Sequence, residues 1–546
     1  MASETELKLA LAPRDLPALL AHPLLAGMAS RRVRLRNTYF DTPKRALLER
    51  RVAVRERQLG RQTLLTVKTA GTVIGGLARR GEWEAPTTPG QFDFAALIGD
   101  DAGLAGELQA LAGELVPVFS TDFGRRIWLL EHRGARIEVA LDQGRIRTGE
   151  GNAGAPPRHR PILELELELQ SGPVDALFQL ARQLAKAAPL QPMHASKAER
   201  GYNLFLDRPT PPVKAAAVRL SASDSPEQAF QAVALRCLAQ LQANTAGVID
   251  SDDPEYLHQA RVALRRLRAA LQLFAPVLPP RLVERWSRNW RSLGQSLGAA
   301  RDLDVFAGSL LPELTGSLSA RDTARLQRWA RARSTAARAD ARSGLQSARH
   351  ADHLLTFTQA VLKLAPMHPA SGTAADAANH DAVAGSGKQS RKPSRASPTL
   401  KRWAREQLQE REQRLFRRVR RTEMVDDDGR HRVRIEAKKL RYGLDFFASL
   451  WPHERLHGYG QSLAAAQDLL GRMNDRVSAR RLLTTQPAAP LAAAVLQLLS
   501  ARLSAQQAHD AAQLPDTLSA LHKARAPWRK GSAKGKGGRP FKKQKK

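Results

Sequence analysis

Near its start the sequence sets Glu4, Glu6 and Lys8 at every second position, with Thr5, Leu7 and Leu9 around them. Successive side chains of a β-strand point to opposite faces, so the three charged groups share one face. Three charges on one strand face are costly to bury unless something pairs them. Glu164, Glu166 and Glu168 repeat the pattern, alternating with Leu165, Leu167 and Leu169. Carboxylates gathered with Lys and Arg are what a divalent cation and a polyanionic phosphate substrate require in one place.

Such clusters need strands to carry them, and residues 1–206 read as strand-rich. Alternating runs recur at 63–68, 81–85, 127–131, 136–141 and 162–170, separated by Gly- and Pro-bearing turns. Apolar residues at helical period over 92–115 and 174–188 add a few helices. The stretch 207–219, opening Asp207-Arg208-Pro209-Thr210-Pro211-Pro212, reads as a stiff linker. From 220 to 522 the composition turns to Leu, Ala, Arg and Gln at a period near 3.6, an all-helical region. An insertion at 370–398, rich in Ala, Gly, Ser, Asp and Lys, and a basic tail at 523–546 lack a core pattern and are expected to be disordered.

The helical region is an internal repeat, about 220–369 and 399–522. His258, Arg261, Leu264, Arg265, Arg266, Leu267 and Arg268 align without gaps on His431, Arg434, Ala437, Lys438, Lys439, Leu440 and Arg441. Arg301-Asp302 aligns on Asn474-Asp475, and both pairs of blocks keep the same spacing. A duplicated bundle with approximate two-fold symmetry follows. At 100° per residue, His258, Arg261, Arg265 and Arg268 fall within roughly an 80° arc opposite an apolar stripe. Like charges so stacked repel one another, which points to an anionic ligand. Asp302 and Asp475 are placed to orient the cations.

Net charge is +33, from 86 Lys and Arg against 53 Asp and Glu. Residues 1–212 carry a surplus of only +5 and the tail +11, leaving +17 for the helical region, the likelier polyanion binder of the two folded parts. Aromatic residues make up 5% of the chain, too few for base stacking along the basic stripes. One cysteine, Cys237, excludes an intrachain disulfide and a Cys-based zinc site. No apolar run approaches a membrane span, and no signal peptide is visible, so a cytoplasmic protein without membrane contact is expected.

Residues 220–520 resemble the CHAD domain, through His258–Arg268, Arg301-Asp302, His431–Tyr442 and Asn474-Asp475. The resemblance implies paired four-helix bundles around a basic channel that binds inorganic polyphosphate. Its ligands would be His258, Arg261, Arg265, Arg266, Arg268, His431, Arg434, Lys438, Lys439 and Arg441. The first 206 residues resemble the CYTH superfamily, the triphosphate tunnel metalloenzymes. Glu4-x-Glu6-x-Lys8 is followed in order by Tyr39-Phe40-Asp41-Thr42, Val54-Arg55-Glu56-Arg57, Thr66-Val67-Lys68, Arg80-Gly81-Glu82-Trp83-Glu84, Phe123-Gly124-Arg125, Ile137–Asp142, Leu163–Glu168 and Ser196-Lys197. The resemblance implies a closed antiparallel barrel of eight strands with a charged tunnel. The CYTH-then-CHAD order is similar to that of bacterial inorganic triphosphatases.

On that resemblance Glu4, Glu6 and two of Glu164, Glu166 and Glu168 would hold Mg²⁺ or Mn²⁺. Lys8, Arg55, Arg57, Lys68, Arg80, Arg125 and Lys197 would clamp the triphosphate. Glu4, Glu6, Lys8 and Lys68 would be catalytic. The fold class is thus an α+β barrel followed by an all-α duplicated bundle. Adenylate cyclase or thiamine triphosphatase chemistry on the same scaffold, and a non-catalytic polyphosphate or nucleic-acid binder, are the alternatives. Nucleic acid is a further partner for the basic tail, and polyphosphate granules a further location.

Overall fold

The computed structural model describes residues 3–149, 157–316, 318–364, 399–421, 426–485 and 491–529. The insertion expected at 370–398 and residues 530–546 of the expected tail lie outside the described residues. Two compact units are formed. The first gathers residues 1–214 with the helical segments 238–260 and 342–360; the second holds the remaining helices.

The first unit is built on ten strands: β1 (Ser3–Leu11), β2 (Arg31–Asp41), β3 (Ala53–Leu59), β4 (Gln62–Lys68), β5 (Thr72–Ile74), β6 (Leu77–Pro86), β7 (Val116–His132), β8 (Ala135–Thr148), β9 (Arg158–Ser171) and β10 (Leu190–Pro192). Eight of them close into an antiparallel barrel in the order β1-β9-β8-β7-β2-β3-β4-β6, with β6 pairing back onto β1. β5 and β10 add short edges to β6 and β1. Closure removes the open strand edges that an eight-stranded sheet would otherwise expose. Tight turns fix the register. Arg133 and Gly134 both take positive φ, 53° and 73°, the backbone a two-residue hairpin needs between β7 and β8.

The strands are longer than the apolar alternation suggested. The segment 127–131 proves to be the end of a seventeen-residue strand, β7. β2 is absent from the alternating runs expected, although Arg32, Arg34 and Arg36 alternate with Val33 and Leu35 in the period of a half-buried strand. Around the cavity the barrel is inverted, with charged residues of β1, β3, β4, β6, β8 and β9 pointing inward and apolar ones packed beneath covering helices, whereas the arginines of β2 face outward. Val54, Leu65, Val67 and Trp83 lie against Phe94, Ile98 and Leu108, which come from Phe94–Leu97, the turn after it and Ala102–Gln109. The helical segments of this unit also touch the barrel. Gly75, in the β5–β6 turn at φ 64°, donates its N–H to Gln242 at 2.6 Å, and a Cβ there would collide with Thr358.

In the helical region the repeat is visible as a constant offset between helix starts. Pro254–Leu273 and Asp427–Phe446 begin 173 residues apart, and so do Pro280–Val305 and His453–Thr484. The same offset relates Phe274 to Phe447, whose rings meet with centroids 5.6 Å apart and share Trp403 as a neighbour. The equivalent residues of the two halves therefore touch. A second cluster joins Phe306, Leu311 and Leu326 to Leu483, Leu499 and Leu503.

Candidate functional site

The barrel interior holds a cavity of about 740 Å³ in which charged side chains are interspersed with apolar and aromatic ones such as Tyr39, Val52, Phe123 and Tyr202. Register accounts for the arrangement. On β1, Glu4 stands opposite Arg80, Glu6 opposite Glu168 and Lys8 opposite Glu166. On β8, Glu138 faces Glu168 and Asp142 faces Glu164. Lys68 faces Glu82, Thr66 faces Glu84, and Arg55 lies between Tyr39 and Thr66. In the closed ring β3 stands four strands from β9, so Arg55 and Arg57 look across at Glu166 and Glu168.

Ion pairs knit the walls together. Arg80 reaches Glu4 at 2.9 Å and Glu6 at 2.6 Å; Lys8 reaches Glu6 at 3.0 Å. Lys68 pairs with Glu4 at 3.1 Å and Glu82 at 2.7 Å, and Arg57 with Glu84 at 3.1 Å. Burial by itself would raise the Glu4 carboxyl, but Lys68 and Arg80 overcome it and hold the group well below the usual range. Burial and the neighbouring Arg80 and Arg55 push the Lys68 ammonium down. Arg55 is buried and hydrogen-bonds Tyr39 at 3.3 Å, while its Nε and Nη2 find no hydrogen-bond acceptor. Two buried guanidinium donors without acceptors suit an incoming anion.

Two acidic groupings must be told apart. Asp142, Glu164 and Glu166 offer oxygens within 4.8 Å of one another, the spacing of a metal site. Three cations already occupy them. Lys197 pairs with all three, Arg125 grips Asp142 through two bonds of 2.7 Å and Glu166 at 2.5 Å, and Arg200 pairs with Glu164. Lys197 and Arg200 arrive on the helix Lys197–Phe205, whose start is fixed by the Ser196–Glu199 capping box. This is an ion-paired floor.

The other grouping is Glu4, Glu6, Glu138 and Glu168. Burial and the charges of Glu4, Glu138 and Glu6 push the Glu168 carboxyl up to about 7. Among the described residues only Asp142, Glu164 and Glu166 bring oxygens of three carboxylates within 4.8 Å of one another. Glu4, Glu6, Glu138 and Glu168 line the cavity at wider spacing, and a divalent cation bound there would supply positive charge that the raised Glu168 carboxyl lacks. Of the three glutamates read on β9, Glu166 and Glu168 line the cavity, whereas Glu164 belongs to the floor. Sequence reasoning missed Glu138, Glu82, Glu84, Tyr39, Asp142 and Arg200 as site residues. Glu138 could have been found: it is the lone charge in Ile137-Glu138-Val139, on the alternation already used for β9.

In the second unit, Arg261 and Arg265 meet their repeat equivalents Arg434 and Lys438 around Asp302 and Asp475. Arg261 lies 3.6 Å from Asp302. Burial, then Arg434, Arg265 and Arg261, push the Lys438 ammonium down to about 6, against the pull of Asp475. Nε of Arg265 and of Arg434 are buried without acceptors. The remaining stripe residues lie elsewhere. Arg266 is buried over the Phe446 ring, Arg268 has Arg291 as its charged neighbour, Lys439 pairs with Glu436 and Arg441 with Asp445. His431 contacts Asn474 at 2.9 Å, and His258 falls in the helical segment of the first unit.

A model of the CYTH domain matches residues 2–202, and a model of the CHAD domain matches residues 232–484. An inorganic triphosphatase of Haemophilus influenzae is 38% identical over 207 residues, 37% of this chain and 55% of the relative. The match thus spans about half the length of that curated relative. The solved CHAD domain of Ricinus communis is 33% identical, covering 58% of this chain and 98% of its own, with TM-score 0.48. A Hippeastrum protein designated an adenylyl cyclase, and described as having a dominant triphosphatase activity, is 18% identical. It covers 38% of this chain and 98% of its own, with TM-score 0.28.

Proposed function

We propose that this chain, which belongs to the proteins that carry a CYTH domain followed by a CHAD domain, hydrolyses inorganic triphosphate to diphosphate and phosphate. The observation that carries the reading is the closed ring that sets Arg55 and Arg57 opposite Glu166 and Glu168 around one charged cavity. The name of the Haemophilus influenzae relative supports it.

Lys8, Arg55, Arg57, Lys68, Arg80, Arg125 and Lys197 are assigned to the phosphate oxygens, which would satisfy the unaccepted donors of Arg55. Arg125 and Lys197 are already neutralised by the floor, so they fix the depth at which substrate stops. Arg55 and Arg57 face only Glu82 and Glu84 and carry the net attraction. Glu4, Glu6, Glu138 and Glu168 would hold Mg²⁺ or Mn²⁺, which when bound neutralises phosphate charge and lowers the pKa of a bound water. Lys68, between Glu4 and Glu82, holds those carboxylates in place and presents its ammonium to the substrate. No side chain need act as a covalent nucleophile.

The tunnel domain is proposed to span 1–206 and the helical module 220–522, joined by 207–219. Within the module, Arg261, Arg265, Arg434 and Lys438 are assigned to inorganic polyphosphate. No described helix is long and apolar enough to cross a membrane; a cytoplasmic location, with association to polyphosphate granules, belongs to the same proposal.

The test is phosphate release from inorganic triphosphate with Mg²⁺ or Mn²⁺, beside ATP and thiamine triphosphate. Fastest turnover of inorganic triphosphate is expected. Inactivity towards it, or a preference for an organic triphosphate, overturns the reading.

A further inference from the structure

Lys8 lies where β1 changes neighbours. Residues 3–7 of β1 pair with β6 and residues 9–11 with β10, so no ladder partner serves Lys8 on that edge. Two loop residues take over. The Lys8 N–H donates to the carbonyl of Gly76, in the β5–β6 turn, at 2.9 Å, and the Lys8 C=O accepts from Met193, just past β10, at 2.8 Å. Both groups therefore point away from β9, which makes Lys8 and Glu166 a pair without backbone hydrogen bonds between them. Where the Lys8 ammonium stands in the cavity thus depends on those two loops.

The helical segments of the first unit pin both loops. Gly75, next to Gly76, donates its N–H to Oε1 of Gln242 at 2.6 Å. The Gln242 side chain is buried and its Nε2 finds no acceptor, so that bond is what the amide gains by lying there. Thr358, fully buried, closes against the same turn, and neither Gly75, at φ 64°, nor Gly76, at 84°, leaves room for a side chain. On the other loop, Gln191 of β10 donates its Nε2 to the carbonyls of Gln346 and Ser347, at 2.8 and 3.2 Å. Gln242 belongs to the segment 238–260, and Gln346 and Ser347 to 342–360.

We propose that Gln242 and Gln191 are positioning residues for Lys8, and that the helical segments 238–260 and 342–360 are part of the scaffold that makes the tunnel competent. The inference rests on the assignment of Lys8 to the phosphate oxygens. Each loop has one contact on a helix and the next on the Lys8 backbone. Freeing either loop lets β1 shift at the residue whose ammonium must meet the substrate. A misplacement of about 1 Å in a positioned group can cost about 100-fold in rate. The Lys8 ammonium also reaches Glu6 at 3.0 Å, so such a shift disturbs a carboxylate assigned to the metal as well.

The test uses the full chain with Gln242→Met, which keeps the length of the side chain and removes the acceptor. Amide hydrogen exchange, read by mass spectrometry, should quicken about fivefold in the peptide 7–11 and stay unchanged in 137–142 of β8. Triphosphate affinity, measured by titration calorimetry without metal, should fall about fivefold in the native background and stay unchanged where Lys8→Ala is already present. A residue that merely supports the fold would weaken both backgrounds equally. Unaltered exchange at 7–11, or equal losses in the two backgrounds, overturns the proposal. Gln191→Leu, at a half-buried position, gives the same pair of readings should Gln242→Met loosen the whole chain. A chain that binds no triphosphate ends the assignment of the tunnel, and the exchange measurement still decides this inference.

Discussion

Lys68 donates to both oxygens of Glu4, at 3.3 and 3.1 Å, across 64 residues of sequence. The same ammonium lies 2.7 Å from Glu82. One cation thus ties β1 to β6 and sets the carboxylate to which substrate chemistry is assigned.

Glu4→Gln keeps the shape of that carboxylate and removes its charge. Triphosphate turnover should fall by about 100-fold or more, since a charged group in a water-poor site acts directly on developing charge. Phosphate release at saturating Mg²⁺ or Mn²⁺ measures it. A variant with near wild-type turnover removes Glu4 from the catalytic set.

Arg55→Ala should cost both activity and stability. Burial disfavours the charge on the guanidinium, yet Tyr39, Glu82 and Glu84 hold it in its charged form, so its loss leaves those two carboxylates short of a partner. The melting temperature should fall, while kcat/KM for triphosphate drops at least tenfold. Thermal unfolding and steady-state kinetics on the same preparation check both.

Glu168 makes the metal-free protein pH-sensitive. Its folded-state carboxyl sits near 7, above the unfolded value of 4.5. The stability it contributes is full below pH 4.5 and is lost as pH rises through 7, about 1–3 kcal/mol. Metal-free protein should therefore melt lower at pH 8 than at pH 6 from this group, and Glu168→Gln should narrow the gap. Adding Mn²⁺ at pH 8 should restore the wild type more than the variant. Calorimetric melting with and without a chelator provides the measurement.

Lys438, pushed down to about 6, is largely neutral at pH 7 beside Arg434, Arg265 and Arg261. A bound polyanion favours the charged form, so polyphosphate binding at pH 7 should take up close to one proton. Titration calorimetry in two buffers of different ionisation enthalpy reads the uptake directly. Lys438→Arg, always charged, should abolish it.

The alternation of Glu4, Glu6 and Lys8, and of Glu164 to Glu168, was legible because an uncharged residue (Thr5, or Leu7, Leu165 and Leu167) fills every intervening place. Which glutamate faces the cavity was not, since that depends on pairing: Glu168 meets Glu138 and Glu6, while Glu164 meets Asp142. β2 was legible too, in the alternation of Arg32, Arg34 and Arg36 with Val33 and Leu35. In the helical region the offset of 173 residues could be read from aligned side chains, but not which cations converge. Arg266 and Lys439 align as well as Arg265 and Lys438 do, yet Arg266 turns onto Phe446 and Lys439 onto Glu436. One step round a helix decides that, and only packing fixes it.

The contact of Phe274 with Phe447 has a meaning for ancestry and design. Equivalent side chains touch only where a surface complements itself, the signature of an isologous homodimer now fused into one polypeptide. A gene encoding the second half twice would bring two copies of Phe447 to the place where Phe274 and Phe447 now meet.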